Sequence, residues 1–367
     1  MSYITSIGTA NPPHKFTQTQ IADFMIRAMN LSTEEADRLK VLYRASGIES
    51  RHSVLSDYGS SKHFNFYANS DNLDPFPTTS ERLNLFRKES VHISKSAVYN
   101  CTSAIPDFDL KNITHLIVVS CTGMFAPGLD IELQRIFKLK STVQRTCINF
   151  MGCYAAFNAL RLADSFCKQD DTHRVLVVCT ELCSIHFQKE NTDDNKLANA
   201  LFADGSAAMI VEPKMRIGMN LEIGSFFCDL VPDGEADMAW TIGDQGFEMK
   251  LSTYVPDLIR NGIGKLTSAL LAANQVNLSD ISYFAIHPGG KKILEAIEAE
   301  LELTRDDNRF AYHVLKHFGN MSSPTVVFVL SEIWKKLNGS DNDKKILSFG
   351  FGPGLTLESL ILTIKNS

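Results

Sequence analysis

Four runs rich in Val, Ile and Leu constrain what this chain can become. They are THLIVVSCTG (114–123), HRVLVVCTEL (173–182), ISYFAIHPGG (281–290) and KKILSFGFGPG (344–354), and each ends in small or reactive residues. Continuous apolar runs between polar flanks mark strands buried on both faces. Helical spacing fills the intervals, over 154–168, 255–274 and 324–337. The alternation predicts an α/β layered fold. A weak twofold pattern puts two strands in an N-terminal half, 1–211, and two in a C-terminal half, 212–367. No Ser/Gly-rich linker divides the halves, so a shared interface is expected. The polar, turn-rich stretch 56–84 and the acidic NTDDN at 191–195 are expected as a surface excursion and a loop.

Composition narrows the function classes. A net charge of -6 argues against a nucleic-acid partner. No stretch approaches 18 apolar residues, so no membrane span is expected. The opening MSYITSIGTANPPHKF lacks the basic and long apolar regions of a signal peptide. Eight cysteines without a CxxC pair suggest reduced thiols in a cytoplasmic protein. No CxxC…CxxC or HExxH spacing suggests a metal.

Chemistry concentrates at the ends of the apolar runs. In NFMGCYAAFNALRLA (149–163), Cys153 stands ahead of a small-residue helix, with Gly152 permitting a sharp entry. A helix N-terminus lowers a thiol pKa, and the thiolate is the nucleophile. A buried, inert thiol is the competing reading. His287 ends a strand broken by Pro288, Gly289 and Gly290, a frequent catalytic position in α/β folds. A satisfied structural histidine is the alternative. Asn320, in FGNMSSPT, precedes a helix that Ser323 and Pro324 can start. GFGPG (350–354) is a glycine-rich turn able to bring backbone N–H groups to a carbonyl; neither GxxxxGK[ST] nor GxGxxG is present. A thiol, an imidazole and an amide together can hold a thioester and an oxyanion.

GC before a small-residue helix, HPGG, GNMSS and GFGPGLT, in this order, resemble the type III polyketide synthases, the chalcone-synthase-like enzymes of the thiolase superfamily. CTG…PGLD (121–130) and LFADGSAA (201–208) also match, and the likeness runs from IGTANPP to the C-terminal strand. The resemblance implies a duplicated five-layered αβαβα thiolase-like fold and a homodimer. It implies a catalytic triad of Cys153, His287 and Asn320. The family's gatekeeper phenylalanine falls on Phe202, and its second phenylalanine aligns closest to Met249, a departure. Cys121, Thr122, Cys183, His186 and Ser322 are implied around the cavity, with Gly352, Pro353 and Gly354 from the glycine-rich turn. Arg38, Lys40 and Arg44 are candidates for the CoA phosphates, with unrelated surface charges as the alternative.

In that reading Cys153 takes an acyl group from an acyl-CoA, malonyl-CoA loses carbon dioxide, and His287 and Asn320 stabilise the enolate. No cofactor is expected beyond the CoA thioesters. The plant enzymes that take aromatic starters carry threonines where Cys121, Cys183 and His186 stand. Thiols in place of hydroxyls remove strong hydrogen-bond partners for a phenolic ring, so aliphatic starters and alkylpyrone or alkylresorcinol products are expected. Trp240 lies near the position that opens the cavity in relatives. The rival readings are a ketoacyl synthase of fatty-acid synthesis and a non-catalytic thiolase-fold binding module. A papain-like hydrolase shares the Cys, His, Asn order, but its cysteine lies near the N-terminus in a different motif.

Overall fold

The computed structural model describes residues 1–70, 72–231, 234, 237–252 and 254–367. All four apolar runs are strands: His115–Ser120, Val175–Leu182, Ile281–Ile286 and Lys345–Gly352. Every residue of the first two is buried, as strands covered on both faces require. The three helical spacings become Ala155–Gln169, Val255–Asn274 and Thr325–Trp334.

One pairing pattern occurs twice. His115–Ser120 runs parallel to Val175–Leu182, which pairs antiparallel with Asp204–Glu212, and that strand antiparallel with Tyr3–Ala10. In the second half Ile281–Ile286 runs parallel to Lys345–Gly352, followed by antiparallel Thr356–Asn366 and Met219–Leu230. Tyr3 and Ile4 pair with Glu222 and Leu221, joining the two sets into one nine-stranded sheet. Gln144–Asn149 adds an edge strand beside His115–Ser120.

Helices Ala155–Gln169 and Thr325–Trp334 lie between the halves and contact strands of both. Thr79–Thr102 covers the outside of the first half, and Val255–Asn274 the outside of the second. Helix, first strand set, helix pair, second strand set and helix give the five layers. The central helices account for the absence of a linker, because each packs against strands of both sets.

Two expected loops differ. The acidic 191–195 stretch starts the helix Asp193–Leu201: the Thr192 hydroxyl accepts the Asn195 N–H at 3.2 Å, and Asp193 and Asp194 suit a first turn. The 56–84 stretch is no mere surface excursion, because Tyr58, Tyr67, Leu73 and Phe76 are buried. The Asp57 carboxylate organises it by accepting N–H groups of Asn65, Phe66 and Tyr67. From Thr79 onward it is helix (Asp71 lies outside the described residues).

Candidate active site

Three elements deliver the three reactive side chains to one place. After the edge strand Gln144–Asn149 the chain turns through Phe150 (φ 62°) and Gly152 (φ 78°). A Cβ on Gly152 would lie 2.4 Å from Cδ of Pro353, so the GFGPG turn requires a glycine there. Cys153 follows in a 3₁₀ turn, Gly152–Tyr154, ahead of the helix Ala155–Gln169. His287 is the residue after strand Ile281–Ile286, and its backbone N–H donates to the Phe349 carbonyl at 2.9 Å. Asn320 is stitched to the first half: its N–H donates to Leu201 O at 2.9 Å, and its carbonyl accepts from Ala203 N at 2.8 Å.

The side chains meet in a chamber of about 600 Å³. Cys153 Sγ donates to Asn320 Oδ1 at 4.0 Å. The Ser322 N–H donates to that same oxygen at 2.8 Å, which orients the amide so that Nδ2 donates to Gly289 O at 3.2 Å. His287 is buried, and among the described residues neither ring nitrogen has a hydrogen-bond partner. A buried imidazole without partners is unusual, because an unmade hydrogen bond is expensive in an apolar site.

Burial pushes the Cys153 thiol up to about 12; the Ser322 hydroxyl opposes the shift and the charge of Glu181 adds to it. Burial likewise lowers the His287 imidazole to about 3. At neutral pH each group by itself is uncharged, so the lowering expected from the helix terminus is outweighed by burial. A proton passed from Sγ to the ring would place two opposite charges in one low-dielectric space, where they attract strongly.

Of the other sequence candidates, Cys121, Thr122, Cys183, Phe202, Met249, Ser322 and Pro353 line the chamber. Gly352 and Gly354 do not; a Cβ on Gly352 would lie 2.5 Å from the Tyr154 ring, so its role is close packing. His186 sits behind Trp240 and faces a second cavity of about 440 Å³, which shares Cys183, Phe202, Trp240 and Met249 with the chamber. The wall between them is fixed. Trp240 Nε1–H donates to the Cys121 carbonyl at 2.8 Å, and His186 stacks on Phe247 at 4.1 Å between centroids. Met249 faces Trp240 across the hairpin of strands Met238–Gly243 and Gly246–Leu251.

A larger cavity of about 1150 Å³ adjoins the chamber at Leu251, Gly289 and Ile293. Its charged lining residues are Lys196, Lys291 and Lys292 with Asp193 and Asp194; Lys196 pairs with Asp193 and Lys291 with Glu295. Helix Thr33–Ala45 and the residue after it present Leu42, Ala45 and Ser46 to it. Arg38, Lys40 and Arg44 line neither space; they are exposed, and Arg38 is paired with Glu34. Sequence reasoning also passed over Glu181, which is fully buried beneath the chamber. An acid near the end of the otherwise apolar strand 175–182 was the available signal.

The family model described as chalcone and stilbene synthases, N-terminal domain, matches residues 1–214, and its C-terminal counterpart matches 222–365. The chain belongs to the chalcone and stilbene synthase family. It is a type III polyketide synthase, a condensing enzyme of the transferase class. Alpha-pyrone synthesis polyketide synthase-like Pks18 of Mycobacterium tuberculosis is 27% identical over 99% of the chain and 91% of that protein. Probable polyketide synthase 1 of Dictyostelium discoideum is 30% identical over 98% of the chain, which spans 11% of that protein. Among solved structures, the C-terminal type III domain of Steely1, a type I/III hybrid from Dictyostelium, superposes with a TM-score of 0.90 at 29% identity, covering 99% of each chain. PKS-I of the brown alga Ectocarpus siliculosus gives 0.91 at 28% identity, covering 99% of this chain and 98% of that one.

Proposed function

We propose that this synthase loads an aliphatic acyl group from a CoA thioester onto Cys153 and extends it with malonyl-CoA. The observation that carries the reading is the meeting of Cys153, Asn320 and the unpartnered His287 in one buried chamber. Cys153 Sγ, giving its proton to His287, attacks the acyl-CoA carbonyl, and CoA leaves as the thiol. Malonyl-CoA then loses carbon dioxide, and the C–C bonding pair becomes an enolate with its charge on the thioester oxygen. One His287 N–H and one Asn320 N–H donate to that oxygen. The enolate carbon attacks the acyl-Cys153 carbonyl, the C–S bond breaks, and the thiolate is regenerated. Every step is carried by these three side chains and the CoA thioesters.

The chamber walls support an alkyl starter. Thr122 Oγ1 is occupied, donating to Glu181 at 2.7 Å and accepting from Leu182 N at 2.9 Å. The Trp240 N–H is spent on Cys121 O, and Ser322 Oγ lies 3.3 Å from Cys121 Sγ. Thiols, methionines, Leu251, Ile293 and Phe351 supply much of the remaining surface. A phenol would lose its water contacts there without replacement. The printed name of Pks18 supports an α-pyrone as the product class. The deciding assay is malonyl-CoA with a series of acyl-CoAs and p-coumaroyl-CoA, products read by mass; preference for the aromatic starter contradicts the reading.

Chain length follows from Trp240. Each buried methylene gains about 0.8 kcal/mol, about fourfold in kcat/KM. We expect kcat/KM to rise with chain length until the acyl terminus meets Trp240, then to level. Trp240→Ala joins the chamber to the second cavity and should move that limit to longer chains. An unchanged length profile in Trp240→Ala would place the acyl chain elsewhere.

The mouth cavity suits the pantetheine arm, with Lys291 and Lys292 facing the CoA phosphates in place of Arg38, Lys40 and Arg44. Lys291→Glu with Lys292→Glu should raise KM for acyl-CoA about tenfold, the scale of two lost and reversed charge contacts. The triple alanine variant at 38, 40 and 44 should leave KM within about twofold, since exposed ion pairs contribute little. The reverse ranking would restore the helix 33–45 cations to the phosphate site.

The reading includes a cytoplasmic homodimer. The edge strand Gln144–Asn149 is partly exposed, with Met151 beside it, and its unpaired backbone suits a second copy. Sedimentation at micromolar concentration measures this; a monomer contradicts it. No helix among the described residues is long and apolar enough to cross a membrane.

A further inference from the structure

Glu181 is completely buried, at the next-to-last position of strand Val175–Leu182. Among the described residues it has no cationic partner within salt-bridge distance. Its carboxylate instead collects donors from both halves of the molecule. The Cys121 N–H (2.9 Å), the Thr122 N–H (3.1 Å), Thr122 Oγ1–H (2.7 Å) and Ser120 Oγ–H (3.2 Å) donate to Oε2. Ser323 Oγ–H, three residues after Asn320, donates to Oε1 at 2.6 Å. Both oxygens are filled by protein groups, and the side chain does not line the chamber.

What Glu181 fixes in turn fixes the chamber wall. The Cys121 carbonyl holds the Trp240 indole, and the Thr122 carbonyl accepts His186 Nε2–H at 2.6 Å. His186 Nδ1 accepts the Phe247 N–H at 3.0 Å, so its tautomer is set by backbone on both sides. Cys121 Sγ meets Ser322 Oγ. We infer that Glu181 is the positioning residue that clamps the Ser120–Thr122 turn to the Ser322–Ser323 turn, holding the wall that aligns the acyl chain on Cys153 with the incoming enolate. This rests on the condensation reading above. His287 and the Asn320 backbone are held by other contacts, to Phe349, Leu201 and Ala203, and among the described residues only the Ser322 N–H links the clamp to the Asn320 amide, so enolate formation depends on the clamp less than condensation does.

The test compares condensation with decarboxylation in one assay, as product formed per malonyl-CoA decarboxylated. Glu181→Gln keeps a carbonyl oxygen for the Cys121 and Thr122 N–H groups, and its amide faces the Ser323 hydroxyl, which can rotate to accept. It should retain coupling within about threefold. Glu181→Ala strands two backbone N–H groups and three hydroxyls, and should lower coupling about tenfold or more. Decarboxylation alone should stay within about threefold of wild type, which a merely structural loss would not allow. Ser323→Ala cuts only the strap to the second half and should lower coupling about threefold, giving a reading even if Glu181→Ala fails to fold. The inference is overturned if Glu181→Gln is as uncoupled as the alanine variant, if both reactions fall in parallel with thermal stability, or if Ser323→Ala couples like wild type. A wild type that decarboxylates but makes no product with any acyl-CoA contradicts the condensation reading instead.

Discussion

Cys153→Ala should make no elongated product from any acyl-CoA. The covalent acyl-enzyme needs a sulfur at this position, and the other chamber thiols cannot replace it. Cys121 and Cys183 are buried, whereas Cys153 is the half-buried one of the three, and Cys121 Sγ is engaged with Ser322 Oγ. Cys153 alone sits on the tight turn that Gly152 and Pro353 create, with Asn320 Oδ1 beside its sulfur. Malonyl-CoA decarboxylation should continue in this variant, because the His287 and Asn320 donors remain. Residual condensation would shift the nucleophile to Cys121 or Cys183.

His287→Ala and Asn320→Ala should each slow malonyl-CoA decarboxylation about 10²–10³-fold, the usual cost of one oxyanion donor. Both donors act on one oxygen, so the double variant should fall well short of the product of the two losses. The two variants should differ in another reaction. In the proposed mechanism His287 also takes the Cys153 proton, so His287→Ala should slow acyl loading, whereas Asn320→Ala should load within a few fold of wild type. Single-turnover loading with acyl-CoA alone separates the two roles. Asn320→Ala that decarboxylates at the wild-type rate would remove Asn320 from the mechanism.

The candidate catalytic residues were legible because each stands where the chain changes direction. Gly152, Pro288 with Gly289, and Gly319 break the apolar patterns beside Cys153, His287 and Asn320, and the backbone turns there. The layers were legible for a related reason, since strands covered on both faces leave uninterrupted apolar runs. What stayed hidden depends on which side of a neighbour a side chain falls. His186 was expected at the cavity, but Trp240, distant in sequence, stands between it and the chamber. Arg38, Lys40 and Arg44 lie on helix Thr33–Ala45, yet Leu42, Ala45 and Ser46 are the residues of that segment that line the larger cavity, and Lys291 and Lys292 reach it from another segment. Glu181 was invisible to a search for exposed chemistry because its burial is compensated wholly by donors from turns far along the chain.

The site of acylation tests the role of Cys153 most directly. Wild-type enzyme is incubated with an acyl-CoA in the absence of malonyl-CoA, quenched in acid, digested and analysed by mass spectrometry. One acyl group per chain is expected, on the peptide carrying Cys153, discharged when malonyl-CoA is added before the quench. Acylation at another residue, or a Cys153 adduct that malonyl-CoA does not discharge, would contradict it.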